Sequence, residues 1–217
     1  MKRILKTFWI DLRASKLLFL LPIGATLIIY AATLFLMNAL PEEMKAWRFG
    51  YLGQEFLLIL YILWTMLVMQ RWFDPDEAEG LRSSEIHHSS TGALLLSLIF
   101  ECLVLMHGVF LGFLFQVNFF WEVIRILVFQ VFLSSLVYIM TLLFRNVFFS
   151  SIVAMVYCLF CSIFGGKNSL NKFCLIRPGV GGTATLSSVL TLWPFMVVAV
   201  FVFVIADKLE QRMIWIK

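Results

Sequence analysis

Six stretches of this chain are apolar for long enough to cross a lipid bilayer: residues 17–38, 52–70, 93–117, 123–144, 147–164 and 189–206. A spanning helix needs about 20 such residues, with a working range of about 17–25. Membrane strands would read instead as alternating segments of about 10 residues, a pattern these runs do not follow. Composition leaves no other solution. Of the 217 residues, 62% are hydrophobic and 14% charged, against about 45–50% and about 25% in soluble domains. Too few polar side chains remain to cover a water-soluble core of that size. The sequence predicts an all-α integral membrane protein, with six transmembrane helices forming a single domain over 1–217.

The basic residues orient it. Short cytoplasmic loops collect Lys and Arg. With six crossings, both termini share a side with the 71–92 and 145–146 connections. Eleven of the seventeen basic residues fall there: Lys2, Arg3, Lys6, Arg13, Lys16, Arg71, Arg82, Arg145, Lys208, Arg212 and Lys217. Both termini are therefore expected in the cytoplasm, and the chain in the cell membrane. The first apolar run exceeds a signal-peptide core of about 7–15 residues and lacks a small-residue cleavage site, so it is expected to stay. The net charge of +4 comes from these membrane flanks and does not indicate nucleic acid.

Between the runs, two polar segments stand out. In 1–16, Ile4, Leu5, Phe8, Trp9 and Leu12 recur at helical spacing among Lys2, Arg3, Lys6 and Arg13. That pattern predicts a helix lying in the membrane interface. Within 71–92, Asp74, Pro75 and Glu77 read as N-cap, first-turn proline and capping acid. Asp76, Glu77 and Glu79 would sit at the positive end of the dipole. A short cytoplasmic helix is predicted over 75–91, with Ser89, Ser90 and Thr91 capping the next span. Pro22 with Gly24, and Pro194, are expected to kink the first and last spans. Residues 165–188, rich in glycine, read as either a plain loop or re-entrant helices.

Candidate chemistry is sparse. Cys158 and Cys161 form a CxxC inside an apolar run, away from any βαβ pattern, and read as small packing residues. Glu42 and Glu43 with Arg48 give EExxxxR, one residue longer than the EExxxR element of glutamate-type intramembrane proteases. His87 and His88 are adjacent, so they do not share a helix face. Glu55, Glu101 and His107 are polar groups in or near apolar runs, and ionisable residues at depth mark pathways or helix–helix pairs. Glu101 lies about 12 Å into its apolar run at 1.5 Å per residue. Seven Trp include Trp9, Trp47, Trp72, Trp121 and Trp215 near run ends, as interfacial belts require.

The layout resembles the permease subunits of ABC type-2 exporters. The residues that carry the likeness are Phe73-Asp-Pro-Asp-Glu-Ala-Glu-Gly-Leu81 leading into 89–96, similar to the acidic E-x-E-x-G-T/S-L coupling segment of that family. Glu77, Glu79, Gly80 and Leu81 occupy the matching positions. The Thr/Ser after Gly80 is absent, as is a lysine common early in the third span. Leu143-Phe-Arg-Asn-Val147 resembles the family's turn between the fourth and fifth spans. The resemblance implies a permease subunit moving an amphipathic peptide, drug or lipid-like substrate outward through a bacterial plasma membrane. It further implies docking of a cytoplasmic ATPase subunit on Asp76, Glu77, Glu79, Gly80, Leu81, Arg82, Glu85, Arg145 and Asn146. A second permease chain, identical or a sister, would complete the path. No Walker sequence GxxxxGK[ST] occurs, so the chain itself is expected to carry no catalysis, with ATP and Mg²⁺ in the partner. The alternatives are a non-transporting membrane scaffold or assembly protein and, after it, an intramembrane enzyme.

Overall fold

In lipid, a backbone must satisfy its own N–H and C=O groups, and a helix does so within one segment. The computed structural model describes residues 17–42, 44–45, 48–49, 56–73, 89–164, 174 and 184–215. Among these, every regular element is helical. In chain order they are α1 (Leu17–Asn38), α2 (Leu58–Phe73), α3 (Ser89–Phe115), α4 (Phe120–Phe144), α5 (Val147–Phe164), α6 (Leu186–Leu190) and α7 (Trp193–Trp215).

Three stretches are long and apolar enough to cross a membrane: Ala93–Phe115, Phe120–Phe144 and Leu186–Glu210. The apolar portions Ile23–Asn38, Leu58–Leu67 and Val147–Cys161 are shorter. Length and composition therefore establish three candidate crossings among the described residues, where the sequence predicts six.

Helices α1 and α5 cover the same residues as the first and fifth apolar runs. Elsewhere local chemistry moves the ends. Helix α3 begins at Ser89, so Ser89, Ser90 and Thr91 lie in its first turn rather than ahead of it. Helix α1 runs unbroken through Pro22 and Gly24. Pro194 is the second residue of α7, which directly follows the two-residue turn that interrupts the Leu186–Glu210 stretch. A proline has no N–H to donate backwards and suits a first helical turn. The sixth apolar run accordingly splits: α6 ends at Leu190 and α7 begins at Trp193. Thr185 starts α6 through a capping box with Ser188.

Helix α4 is the hub. It packs against α2, α3, α5, α6 and α7. Its sequence explains why, since it buries Glu122, Gln130, Ser134, Ser135 and Thr141, and polar groups in a bilayer turn toward protein rather than lipid. Outward the order reverses. Ile28 is 71% exposed, Phe35 79% and Phe113 87%. A chain with polar groups inside and large apolar groups outside is built for an apolar surround.

Close approach of α3 to α4 depends on Gly108. A Cβ there would stand 2.9 Å from Val123 Cγ2, inside any normal carbon contact. Phe49 and Phe119 pack over the same point, their ring centroids 5.0 Å apart.

Two residues connect α4 to α5. Arg145 is left-handed at φ 51°, ψ 31°, and Asn146 Oδ1 accepts from the Phe149 N–H at 3.0 Å. Asn146 is thus the N-cap of α5. The interfacial 1–16 segment and residues 74–88, with most of the coupling helix, lie outside the described residues.

Candidate functional site

Buried polar groups are costly unless bonded, so the groups left over after bonding identify where chemistry is available. Most hydroxyls are satisfied within their own helix. Thr33 donates to the Ile29 carbonyl (2.7 Å), Thr65 to Tyr61 (2.8 Å), Thr141 to Val137 (2.7 Å) and Ser151 to Val147 (2.9 Å). These back-bonds are local and require no ligand.

A second group ties helices together. Tyr61 of α2 and Ser97 of α3 share a hydrogen bond of 2.5 Å in the core. At the α4 start, Glu122 pairs with Arg125 at 2.5 Å. The other Glu122 oxygen accepts the Ala184 N–H at 2.7 Å. That carboxylate holds the chain just before α6 against α4.

Among the buried atoms without a hydrogen-bond partner are Tyr30 Oη, Glu101 Oε2, His107 Nε2 and both polar side-chain atoms of Gln130. The Tyr30 and His107 rings stack at 3.6 Å between centroids, inclined by 4°. Phe49 closes the far side of His107, with centroids 5.7 Å apart. His107 is only 6% exposed. Because α3 starts at Ser89, Glu101 stands about 18 Å from that end and about 21 Å from Phe115. It is therefore near the middle of the helix, and about 12 Å inside the apolar Ala93–Phe115 stretch.

Of the sequence-predicted residues, His107 of α3 stacks on Tyr30 of α1, and Glu101 lies six residues earlier on α3. Arg145 and Asn146 form the exposed α4–α5 turn. Glu55 and the coupling residues Asp76, Glu77, Glu79, Gly80, Leu81, Arg82 and Glu85 lie outside the described residues. Sequence reasoning missed Tyr30, Glu122, Arg125 and Gln130. The last three were readable as polar interruptions of an apolar run. Gln130 is fully buried, with neither side-chain polar atom bonded. Tyr30 carried no such signal.

Cys158 and Cys161 are both buried and free on α5. Among the described residues, no three His, Cys, Asp or Glu side chains group as metal ligands do. Beside Gly108 and Gly112 lies an apolar hollow of about 170 Å³, lined by Leu105, Phe119 and Val123, which offers space but little polar chemistry. No protein family, curated protein or solved structure matches this chain.

Proposed function

We propose that this chain is the permease subunit of an ATP-driven exporter, crossing the plasma membrane six times with both termini in the cytoplasm. A separate ATPase subunit supplies the work, and a second permease chain completes the translocation path. The reading is carried by one observation: a carboxylate, Glu101, stands near the middle of a membrane-length helix with an unbonded oxygen. An ionisable side chain at depth is costly, and one left unbonded makes no helix–helix pair to offset that cost. A transport path gains a place for polar cargo.

The α4–α5 connection supports the same reading. A two-residue turn leaves no slack, so a push on Arg145 or Asn146 is transmitted to α4, which contacts most of the bundle. On the assigned orientation that turn faces the same side as the 75–91 segment.

The test is purification from native membranes followed by charge reversal. A nucleotide-binding subunit should co-purify in fixed stoichiometry. Glu77→Lys with Glu79→Lys should abolish the ATP hydrolysis that depends on this chain, while membrane insertion is unchanged. Recovery of the chain without any ATPase, or full coupled hydrolysis in the double variant, would favour a membrane scaffold instead.

A further inference from the structure

We infer that Glu101 of α3 and Gln130 of α4 form a polar latch across the α3–α4 seam, open in this structure and shut when the Gln130 carboxamide donates to the Glu101 carboxyl. The two helices are an antiparallel hairpin, joined by residues 116–119 and packed together. Two contacts fix its register. Near the connection, Gly108 stands against Val123, where an added Cβ would meet Val123 Cγ2 at 2.9 Å. Toward the other end, the Ser134 hydroxyl donates to the Ala93 carbonyl at 3.5 Å. Glu101 and Gln130 each lie between these contacts on their own helix.

The same contacts fix the faces. Seven residues are close to two full helical turns. Glu101, seven before Gly108, therefore lies on the side of α3 that meets Val123. Gln130, seven after Val123, lies on the side of α4 that meets Gly108, and Ser134 follows one turn later on that side. Those seven residues cover about 10 Å along each helix, and in an antiparallel pair both steps run the same way. Glu101 and Gln130 thus face each other at about the same depth. Glu101 Oε2 and both polar atoms of the Gln130 side chain are buried, with no hydrogen-bond partner among the described residues. A carboxamide has two N–H donors, and a carboxyl oxygen accepts in either protonation state. Each offers what the other lacks.

The seam is tight at one end and slack at the other. At Gly108 the helices leave no room for a methyl group. At Ser134 the bond to Ala93 is at the outer limit of length, where an O–H···O bond is usually about 2.7–2.8 Å. A pivot about Gly108 that draws the Ser134 end inward shortens that bond and carries Gln130 toward Glu101. Small shifts of packed helices between two arrangements are a common form of switching. Buried polar groups are costly until paired, which favours closing. The latch does not depend on the exporter reading. Where that reading holds, the carboxyl is free for cargo only while the latch is open.

Two measurements on the full chain in lipid nanodiscs, with no ATPase present, test the latch. In the first, the unaltered chain, Glu101→Met, Gln130→Met and the double variant are melted. A latch that closes loses its bond once in the double variant but strands a polar group in each single one. The double variant should therefore melt about 1–3 °C above the sum of the single shifts, as one interhelical hydrogen bond in a membrane predicts. In the second, Glu101 is labelled with dicyclohexylcarbodiimide, a lipid-soluble carboxyl reagent, and read by peptide mass. Gln130→Met should label several-fold faster than the unaltered chain, because nothing then covers the carboxyl. Should Gln130→Met fail to fold, Gln130→Asn, which keeps the carboxamide one methylene short of reach, answers the same question. Where Glu101→Met does not fold, the labelling comparison decides. Additive melting shifts overturn the latch, and so does labelling at one rate with and without Gln130. Either result leaves the exporter reading as it was, and a chain without an ATPase partner leaves the latch standing.

Discussion

The Tyr138 hydroxyl donates to Glu210 Oε2 across 2.5 Å, joining α4 to α7 over 72 positions of sequence. Tyr138 is completely buried, and its ring lies against Phe203 of α7 with centroids 6.0 Å apart. One residue thus contributes both apolar contact and a hydrogen bond to the same helix pair. Tyr138→Phe keeps the ring and removes the donor. The variant should lose about 1.5–3 kcal/mol, the range for a hydrogen bond to a charged group. A thermal melt in detergent checks it, and Glu210→Gln should cost less because an amide oxygen still accepts. A Tyr138→Phe melt equal to that of the unaltered chain would show that the bond contributes nothing net.

Gly108 sets the spacing of α3 and α4. Gly108→Ala places a methyl 2.9 Å from Val123 Cγ2, and valine is stiff at χ1, so the contact is relieved only by moving a helix. The expected loss is about 1–3 kcal/mol, the usual cost of overpacking. Val123→Ala in the same chain should recover part of it. Additive losses in the double variant would mean that Val123 is not what the new methyl meets.

How much of this was readable beforehand follows from the physics of each feature. Helices α1 and α5 were legible because chain punctuation bounds them: Pro41 follows the first, and Asn146 caps the second. The central place of α4 was also legible, since Glu122, Gln130, Ser134 and Tyr138 interrupt its apolar run on more than one side, as a helix enclosed by protein requires. Hydropathy over a whole run hides such interruptions, because it averages them away. The start of α7 was open to reading from Pro194, which suits the first turn of a helix better than its middle. The stack of Tyr30 on His107 was not legible. It joins residues 77 positions apart, and an aromatic residue in an apolar run looks the same whether it faces lipid or a histidine.

Glu122 is 1% exposed and bonded to both Arg125 and the Ala184 N–H. Removing one member of a buried pair strands the other, which costs about 3–5 kcal/mol. Glu122→Ala should therefore be strongly destabilising and should also free the chain before α6. Arg125→Ala should be nearly as severe. The double variant should be less damaging than the sum of the two, because no charge is then left alone. Strict additivity in thermal melts would exclude the pairing, and protease access near Ala184 gives an independent readout of the released segment.

Arg145 separates stability from function at the α4–α5 turn. Its φ of 51° is left-handed, a region that costs a residue with a Cβ about 1–2 kcal/mol and costs glycine none of it. The position is exposed, so little packing is lost with the side chain. Arg145→Gly should therefore leave the melting temperature unchanged or raise it by a few degrees. If the guanidinium also meets an ATPase surface, as proposed, the same variant should lower coupled ATP hydrolysis. Arg145→Asn keeps a residue tolerant of the left-handed region and likewise removes the charge, so it should match the glycine variant in activity without its gain in stability. A glycine variant that melts lower than the unaltered chain would contradict the strain argument. Full hydrolysis in both variants would detach Arg145 from the coupling surface and leave it a turn residue alone.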